Sequence, residues 1–345
     1  MKAAVLREFN HDIEFVDRPI PQPKAGEVLV KVMASGLCVS DLHIQDGKIG
    51  TVKVPYTPGH EMAGIVDKVG DGVTNVKVGD HICAAIDIVC GTCRFCRAGR
   101  TNLCEKLVRI GFERDGSHQE YCVIPANNAV VVPDWIPFEQ VTGFPDACAC
   151  MYNALKNRGQ VKEGDCVLIL GTGGLGMNAI QIAKNLGAIV YVTSRRQDKI
   201  DISLELGADE GINTKTHDLH QEIVNLTNGK MCDVVIDNIG IHSSVNDALK
   251  LVRPGGKVII SGYNDFDFTA EYQEIMKFEK EIIGMRASCK TDLLAVIKMA
   301  EQRKLIPYVY KTLPLTSINE GFRMMREGEA KGRVVLLTDA YYGKS

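Results

Sequence analysis

A chain of 345 residues, 45% hydrophobic and 24% charged, has the composition of a folded globular protein and is long enough for two cores. The formal net charge is −3 and the basic residues form no dense run, which excludes partners recognised by charge, such as nucleic acid or a membrane surface. Residues 1–15 lack the apolar core and cleavage site of a signal peptide, and no apolar run approaches the ~18 residues of a membrane span, so the expectation is a cytoplasmic protein.

From residue 1 to about 133 the chain reads as short β-branched runs broken by turns. Runs at 28–33 (VLVKVM), 64–69 (GIVDKV) and 121–124 (YCVI) alternate with Pro58-Gly59 and Asp115-Gly116, which predicts a mostly antiparallel β unit. Cys38, His60 and Glu61 lie in this unit and are candidate metal donors of three chemical kinds; a catalytic zinc takes about three protein ligands and keeps one position open.

The twelve cysteines come without a secretion signal, so clustered ones read as metal ligands rather than a disulfide framework. Cys90, Cys93, Cys96 and Cys104 fall within fifteen residues, a spacing that suits tetrahedral Zn²⁺ in a closed shell with no place for substrate. Arg94, Arg97 and Arg100 would offset the charge of four thiolates. An iron–sulfur cluster is the competing occupant, and a DNA-reading finger is disfavoured because no basic recognition helix follows. The scattered Cys83, Cys122, Cys166, Cys232 and Cys289 read as small buried hydrophobes.

From about residue 151 the texture changes. Apolar runs at 167–170, 189–193, 233–237 and 257–261 alternate with helical stretches, which predicts a parallel sheet covered on both faces, an α/β doubly wound unit. Gly171, Gly173 and Gly176, with Gly174 and Leu175 between, form G-x-G-x-x-G directly after a strand and at the mouth of a helix, the context that makes the motif a dinucleotide site. The first glycine permits the turn, the second lets backbone approach the pyrophosphate, and the third packs helix against strand. The next strand ends in Ser194-Arg195-Arg196, where an NAD site carries an acid for the ribose hydroxyl. With no carboxylate there and two guanidiniums available, NADP(H) is favoured over NAD(H). The tail, 313–338, ends in an apolar strand, shows no further alternation, and is expected to return to the β unit.

Taken together, Gly36-Leu37-Cys38-Val39-Ser40-Asp41-Leu42-His43, Pro58-Gly59-His60-Glu61, the four-cysteine lobe, Asp115-Gly116 with Glu120-Tyr121, the glycine loop and Gly187-Ala188 resemble the zinc-dependent medium-chain alcohol dehydrogenases over essentially the whole chain. The resemblance implies a GroES-like catalytic domain over 1–150 with a zinc lobe at about 88–105, a Rossmann domain over 151–289, and a segment 290–345 returning to the first. It implies two zincs per chain, the active site in the cleft between the domains, an alcohol, aldehyde or ketone as small-molecule substrate, and a homodimer or homotetramer. Cys38 and His60 would hold the catalytic zinc with Glu61 as an alternating or outlying ligand, and Asp41 would orient His60.

The chain departs from the commonest pattern at the third ligand. Counting six residues back from Tyr152 reaches Asp146, not a cysteine; Cys148 and Cys150 are the alternatives but require a shifted helix. Ser40 takes the family's hydroxyl-relay place and His43 that of the outer proton acceptor, reached through the ribose hydroxyls. Lys290 replaces an arginine that contacts the pyrophosphate. Ala85 and His118 stand where relatives carry aromatics, which suggests room for a secondary or polar alcohol, a short diol or a ketone. The rival readings are an NAD(H)-linked polyol or primary alcohol dehydrogenase of the same superfamily and a non-catalytic structural relative.

Overall fold

The computed structural model describes residues 1–264 and 267–343, which divide into two compact units. The first comprises Met1–Ala149, Ser288–Glu301 and Pro307–Ser345; the second comprises Cys150–Ala287 with Gln302–Ile306. The short Gln302–Ile306 return has a simple cause in the second unit. The Gln181 amide donates to the Ile306 carbonyl at 2.8 Å and accepts the Ile306 N–H at 2.9 Å.

The first unit is organised around the long strand Glu27–Leu37. One edge pairs antiparallel with Glu61–Val69 along most of its length. The other edge is shared: its first half pairs with Tyr121–Pro125, and its second half with Arg333–Leu337. The alternation seen in the sequence sorts this strand's side chains. Val28, Val30 and Val32 enter a core with Met62, Val66, Ile82 and Ile124, while Leu37 joins a second core with Leu42, Ile44, Tyr56 and Phe322. Two shifts of register against Glu61–Val69, at Leu29/Val30 and Val32/Ala34, bend the strand between those cores.

In the tail, Arg333–Leu337 pairs with Glu27–Leu37, and the expectation of no further alternation is corrected. Val309–Pro314, the helix Ile318–Arg326 and Arg333–Leu337 form a strand–helix–strand crossover, with the two strands parallel. The helix was hidden in the sequence because it is short and Glu320, Arg323 and Arg326 interrupt its four large apolar residues. Ile318, Gly321, Phe322 and Met324 nonetheless fall on one buried face, and Gly321 lets the helix approach Leu37 where a Cβ would stand 2.4 Å from a Leu37 methyl.

The second unit is a six-stranded parallel sheet. Its order is Glu210–Asn213, Ile189–Ser194, Cys166–Leu170, Cys232–Asp237, Val252–Ile260, Glu281–Gly284. In chain order this is 3-2-1-4-5-6, the doubly wound arrangement whose switch point lies beside the first strand. Near-continuous apolar runs such as Val167–Leu170 are fully buried because helices cover both faces. Among the described residues no helix is long and apolar enough to cross a membrane.

After Cys166–Leu170 the chain turns through Gly171, at φ +88°, and starts the helix Gly174–Asn185. A Cβ at Gly176 would lie 2.2 Å from the Gly171 carbonyl oxygen, whereas one at Gly173 would meet nothing within 4 Å. The two glycines therefore serve different ends, packing at 176 and open backbone at 173. Gly176→Ala is expected to destabilise the protein by about 1–3 kcal/mol, the range for an overpacked contact. Gly173→Ala is expected to leave urea unfolding within about 0.5 kcal/mol of wild type. Equal effects of the two in denaturant titrations would refute this division.

Candidate active site

Four elements of the first unit meet at one buried point. Cys38 ends the strand Glu27–Leu37 and precedes the helix Val39–Gln45; its N–H donates to Asp41 Oδ2 at 2.9 Å, so the helix start and the carboxylate are fixed together. His60 and Glu61 open the neighbouring strand after Gly59, whose φ of +105° few other residues adopt. Glu61 fits beneath Cys38 only because Gly36 has no side chain; a Cβ there would stand 2.1 Å from Glu61 Oε2. Asp146 comes from a widened helical turn, in which the Cys148 N–H donates five residues back to Gly143 O at 2.9 Å. Such wide turns recur at functional positions because they re-aim a side chain.

This turn distinguishes the three candidates for the remaining donor. Asp146 Oδ2 lies 3.4 Å from Cys38 Sγ and 3.8 Å from His60 Nε2. Cys148 and Cys150 are instead buried in the core, and burial pushes the Cys148 thiol up. One donor atom each from Cys38, His60, Glu61 and Asp146 falls within 4.8 Å of the others. Ligands about 2.0–2.3 Å from a tetrahedral ion stand roughly 3.3–3.8 Å apart, so Cys38, His60 and Asp146 suit a zinc-sized cation. Glu61 Oε2 and His60 Nδ1 are buried without a hydrogen bond, so the cluster does not satisfy all of its own polar atoms.

The electrostatics explain why the cluster is stable when assembled. Burial disfavours a charged His60, yet Asp41 and Asp146 beside it raise its pKa well above the ordinary histidine value. The same field favours any cation, proton or metal. Burial likewise opposes ionisation of Asp41 and Asp146, but His60 holds both carboxyls well below their usual range, with His118 assisting at Asp41 and Arg333 at Asp146. Glu61 is the exception: burial raises its pKa despite the opposing Arg333.

Arg333 is the participant that sequence reading did not single out. Its Nη2 lies 2.8 Å from Glu61 Oε1 and 3.7 Å from Asp146 Oδ2, while Nη1 donates to the Leu37 carbonyl at 2.9 Å. In sequence it is merely the polar first residue of RVVLL. The one available signal was a charge at the head of a strand whose remaining residues are all buried.

Asp41 Oδ1 stands 3.5 Å from His60 Nδ1, on the opposite side of the ring from Asp146, and the ring packs on Phe112 with centroids 5.0 Å apart. The half-buried Ser40 has its hydroxyl 3.7 Å from Cys38 Sγ. His43, one helical turn on, is buried; desolvation, with Lys48 and Arg326 nearby, depresses its pKa against the opposing Asp46. The expectation that His118 contributes open space is corrected. It has no accessible surface, and its Nδ1 is 2.8 Å from Ser35 Oγ, because the loop after Gly116 is drawn in against Gly59.

The second donor group is the lobe of Cys90, Cys93, Cys96 and Cys104, again with all four sulfurs within 4.8 Å. Backbone N–H groups point at the sulfurs: Cys90 donates to Cys104 Sγ at 3.3 Å and Cys93 to Cys90 Sγ at 3.4 Å. Donation from Thr92 and Cys93 lowers the Cys90 thiol to about 6, so it is already a thiolate near neutral pH. Of the arginines expected to balance this charge, Arg94 is paired with Glu105 at 3.0 Å and shares its charge with that carboxylate.

In the second unit the ends of the first two strands lie together, with the Gly171 N–H donating to Thr193 Oγ1 at 3.4 Å. Ser194 Oγ accepts the Arg196 N–H at 3.2 Å, and the Arg196 guanidinium grips Asp198 at 3.0 and 2.7 Å. Arg195 is exposed. Two polar atoms beside the glycine loop, Thr172 Oγ1 and Asn238 Nδ2, are buried without a hydrogen bond, and neither was read from the sequence. Lys290, at the head of a helix in the first unit, donates to the Asn127 carbonyl at 2.6 Å.

Comparison with known proteins agrees with this layout. Residues 24–134 match the alcohol dehydrogenase GroES-like domain family, and residues 174–336 the zinc-binding dehydrogenase family. An alcohol dehydrogenase of Geobacillus stearothermophilus is 34% identical over 341 residues, 98% of this chain and 100% of that protein. A solved NAD-dependent alcohol dehydrogenase superposes with a TM-score of 0.92 at 32% identity, covering 98% of this chain and 99% of that one. A zinc-type dehydrogenase structure from Sinorhizobium meliloti, described as bound to NADP, gives 0.89 at 27% identity over 97% and 98% of the two chains.

Removing Arg333 would leave Glu61 buried without its paired cation and Asp146 with His60 alone. Arg333→Met is expected to cost about 3–5 kcal/mol in urea unfolding, the range for a broken buried pair. Adding Glu61→Gln is expected to recover about half of that. Additive losses in the double variant would show that the two side chains do not act as a pair.

Proposed function

The chain belongs to the zinc-type medium-chain alcohol dehydrogenases, and from that premise we propose that it interconverts primary or secondary alcohols and their aldehydes or ketones with NADP(H) as hydride carrier. The observation that carries this reading is the convergence of Cys38, His60, Glu61 and Asp146 donors within 4.8 Å in a buried pocket of charge. When bound, zinc supplies Lewis acidity toward the alcohol or carbonyl oxygen, and the nicotinamide supplies the carbon that exchanges hydride.

The chain's own groups divide the remaining work. Cys38, His60 and Asp146 hold the metal; Glu61 stays with Arg333 or alternates as a ligand. A carboxylate in place of a second thiolate makes a harder donor set and a more strongly polarising metal. Asp41 keeps the His60 ring turned so that Nε2 faces the other donors. Ser40 accepts the proton of the substrate hydroxyl and passes it toward His43, which burial keeps neutral and therefore able to receive it. Cys90, Cys93, Cys96 and Cys104 hold a second, structural zinc. The glycine loop receives the pyrophosphate at a helix N-terminus, with Lys290 as a further cation for it. In its cytoplasmic setting the enzyme works as a homodimer or homotetramer.

Cofactor choice rests on Ser194-Arg195-Arg196. With Arg196 engaged by Asp198, the exposed Arg195 is the guanidinium open to a ribose phosphate. The second reading, an NAD(H)-linked enzyme, draws on the NAD-dependent relative of 32% identity. Steady-state kinetics with NADP⁺ and NAD⁺ over a panel of simple alcohols, diols and polyols separates the two. The expected result is a kcat/KM at least about tenfold higher with NADP⁺, reversed toward NAD⁺ in Arg195→Asp by about 10–100-fold as a charge-assisted contact is lost. A wild-type preference for NAD⁺ would remove the NADP(H) assignment.

Two further measurements bear on the chemistry. Metal analysis is expected to return two zincs per chain. Ser40→Ala is expected to lower kcat by about 10²–10⁴-fold while zinc content and cofactor affinity hold; wild-type turnover in that variant would take Ser40 out of the proton path.

A further inference from the structure

Beneath the donor cluster runs a row of buried polar side chains that the reaction itself leaves unused. Ser35, Ser117 and His118 have no accessible surface. Ser117 Oγ lies 2.6 Å from Ser35 Oγ, and Ser35 Oγ lies 2.8 Å from His118 Nδ1. Across the ring, His118 Nε2 faces Asp41 Oδ2 at 3.8 Å, and Asp41 Oδ1 in turn faces His60 Nδ1 at 3.5 Å. His118 Nε2, Asp41 Oδ1 and His60 Nδ1 are all buried polar atoms without a closed hydrogen bond.

For a neutral His118 ring, the chemistry of these groups allows one direction of donation. An ionised Asp41 only accepts, and it already takes the Cys38 N–H on Oδ2. His118 can serve it only with the proton on Nε2, which makes Nδ1 an acceptor. Ser35 must then donate its hydroxyl to Nδ1 and accept from Ser117. At the far end Asp41 accepts from His60 Nδ1, which leaves the Nε2 lone pair of His60 free on the side where Cys38 and Asp146 stand. The ring of His118 has little freedom to leave this row. It fills the space where a Cβ at Gly59 would stand, 2.7 Å away, and its backbone N–H donates to Pro58 O at 3.0 Å.

We propose that His118, with its tautomer set by Ser35 and Ser117, is a positioning residue for the catalytic metal, holding Asp41 so that Asp41 orients both His60 and the backbone of Cys38. The present 3.8 Å separation is longer than a closed hydrogen bond, and a movement of about 1 Å by either side chain closes it. Engagement of His60 by a cation draws on Asp41 and tightens the row. The inference rests on the metal site proposed above.

The test is metal retention rather than turnover. Wild type, His118→Phe, His118→Gln and Ser35→Ala are dialysed against chelators of graded strength, and metal per chain, the ligand-field spectrum of the Co(II)-substituted site and the thermal midpoint are recorded. His118→Phe is expected to lose the metal of the buried site with about 10–100-fold weaker affinity and a shifted Co(II) spectrum, while the four-cysteine lobe keeps its ion. His118→Gln, whose amide donates at similar reach, is expected to recover most of that affinity, and Ser35→Ala to fall between. Wild-type affinity and spectrum in His118→Phe overturn the proposal. So do equal losses in the Phe and Gln variants in step with their thermal midpoints, which would mark His118 as packing alone. If His118→Phe does not fold, unchanged metal affinity in Ser35→Ala overturns the tautomer row. A wild-type protein that takes one metal only, in the cysteine lobe, overturns the catalytic-metal reading and this role with it, a result distinct from the others.

Discussion

Concentrated negative charge in a dry core is the constraint around which the first unit is built. A thiol and three carboxyls, from Cys38, Asp41, Glu61 and Asp146, sit within one buried neighbourhood, and the full-time positive charge among them is Arg333. Such a group is tolerable only if cations join it, because ions held in a medium of low polarity repel strongly and lose their hydration. His60 supplies a site for one, and its affinity for positive charge is raised by the carboxylates that flank it. The same electrostatic demand bears on folding stability and on the affinity of the site for a cation.

That demand has to be met by close approach, and the backbone is shaped for it. Gly36 clears the space for Glu61, and Gly59 is pressed against the His118 ring. Gly111 and Gly116 close on the Gly59 carbonyl, where a Cβ would stand 2.4 and 1.9 Å away respectively. Two stretches distant in sequence, at Gly59 and at Gly111–Gly116, therefore meet through bare backbone. The arrangement places His60 with little play, since its main chain, its ring face on Phe112 and its Nδ1 side toward Asp41 are each bounded.

The cysteine lobe answers a related problem differently. Cys90, Cys93 and Cys96 are half-buried and Cys104 is buried, and the sulfurs are met by backbone N–H groups rather than by buried countercharges. Four like donors close a shell, whereas the buried site mixes sulfur, nitrogen and oxygen and keeps a second carboxylate, Glu61, in reserve on an arginine. The contrast fits a structural role for the lobe and a chemical one for the buried cluster.

Local pattern determined a good deal. The parallel sheet was legible because strands buried on both faces must be continuously apolar and alternate with helices, and the glycine loop because it follows a strand and opens a helix, with a positive φ at Gly171 and close packing at Gly176. The four cysteines were legible as a group because they lie close in sequence, and the fold brings all four sulfurs within 4.8 Å of one another. What the tertiary structure alone decided was which distant groups share a charge. The tail's last strand was legible, but the helix Ile318–Arg326 before it went unread because a short apolar face broken by three charges is visible only once it is packed. Arg333 follows from that same crossover, which carries a C-terminal strand to the edge of Glu27–Leu37 and so sets a guanidinium beside Glu61 and Asp146. The turning of His118 toward Ser35 and Asp41 depends on the meeting of Gly59 and Gly116. Electrostatic and hydrogen-bond partnerships act across space at a few ångströms, and residues hundreds of positions apart carry no local trace of them.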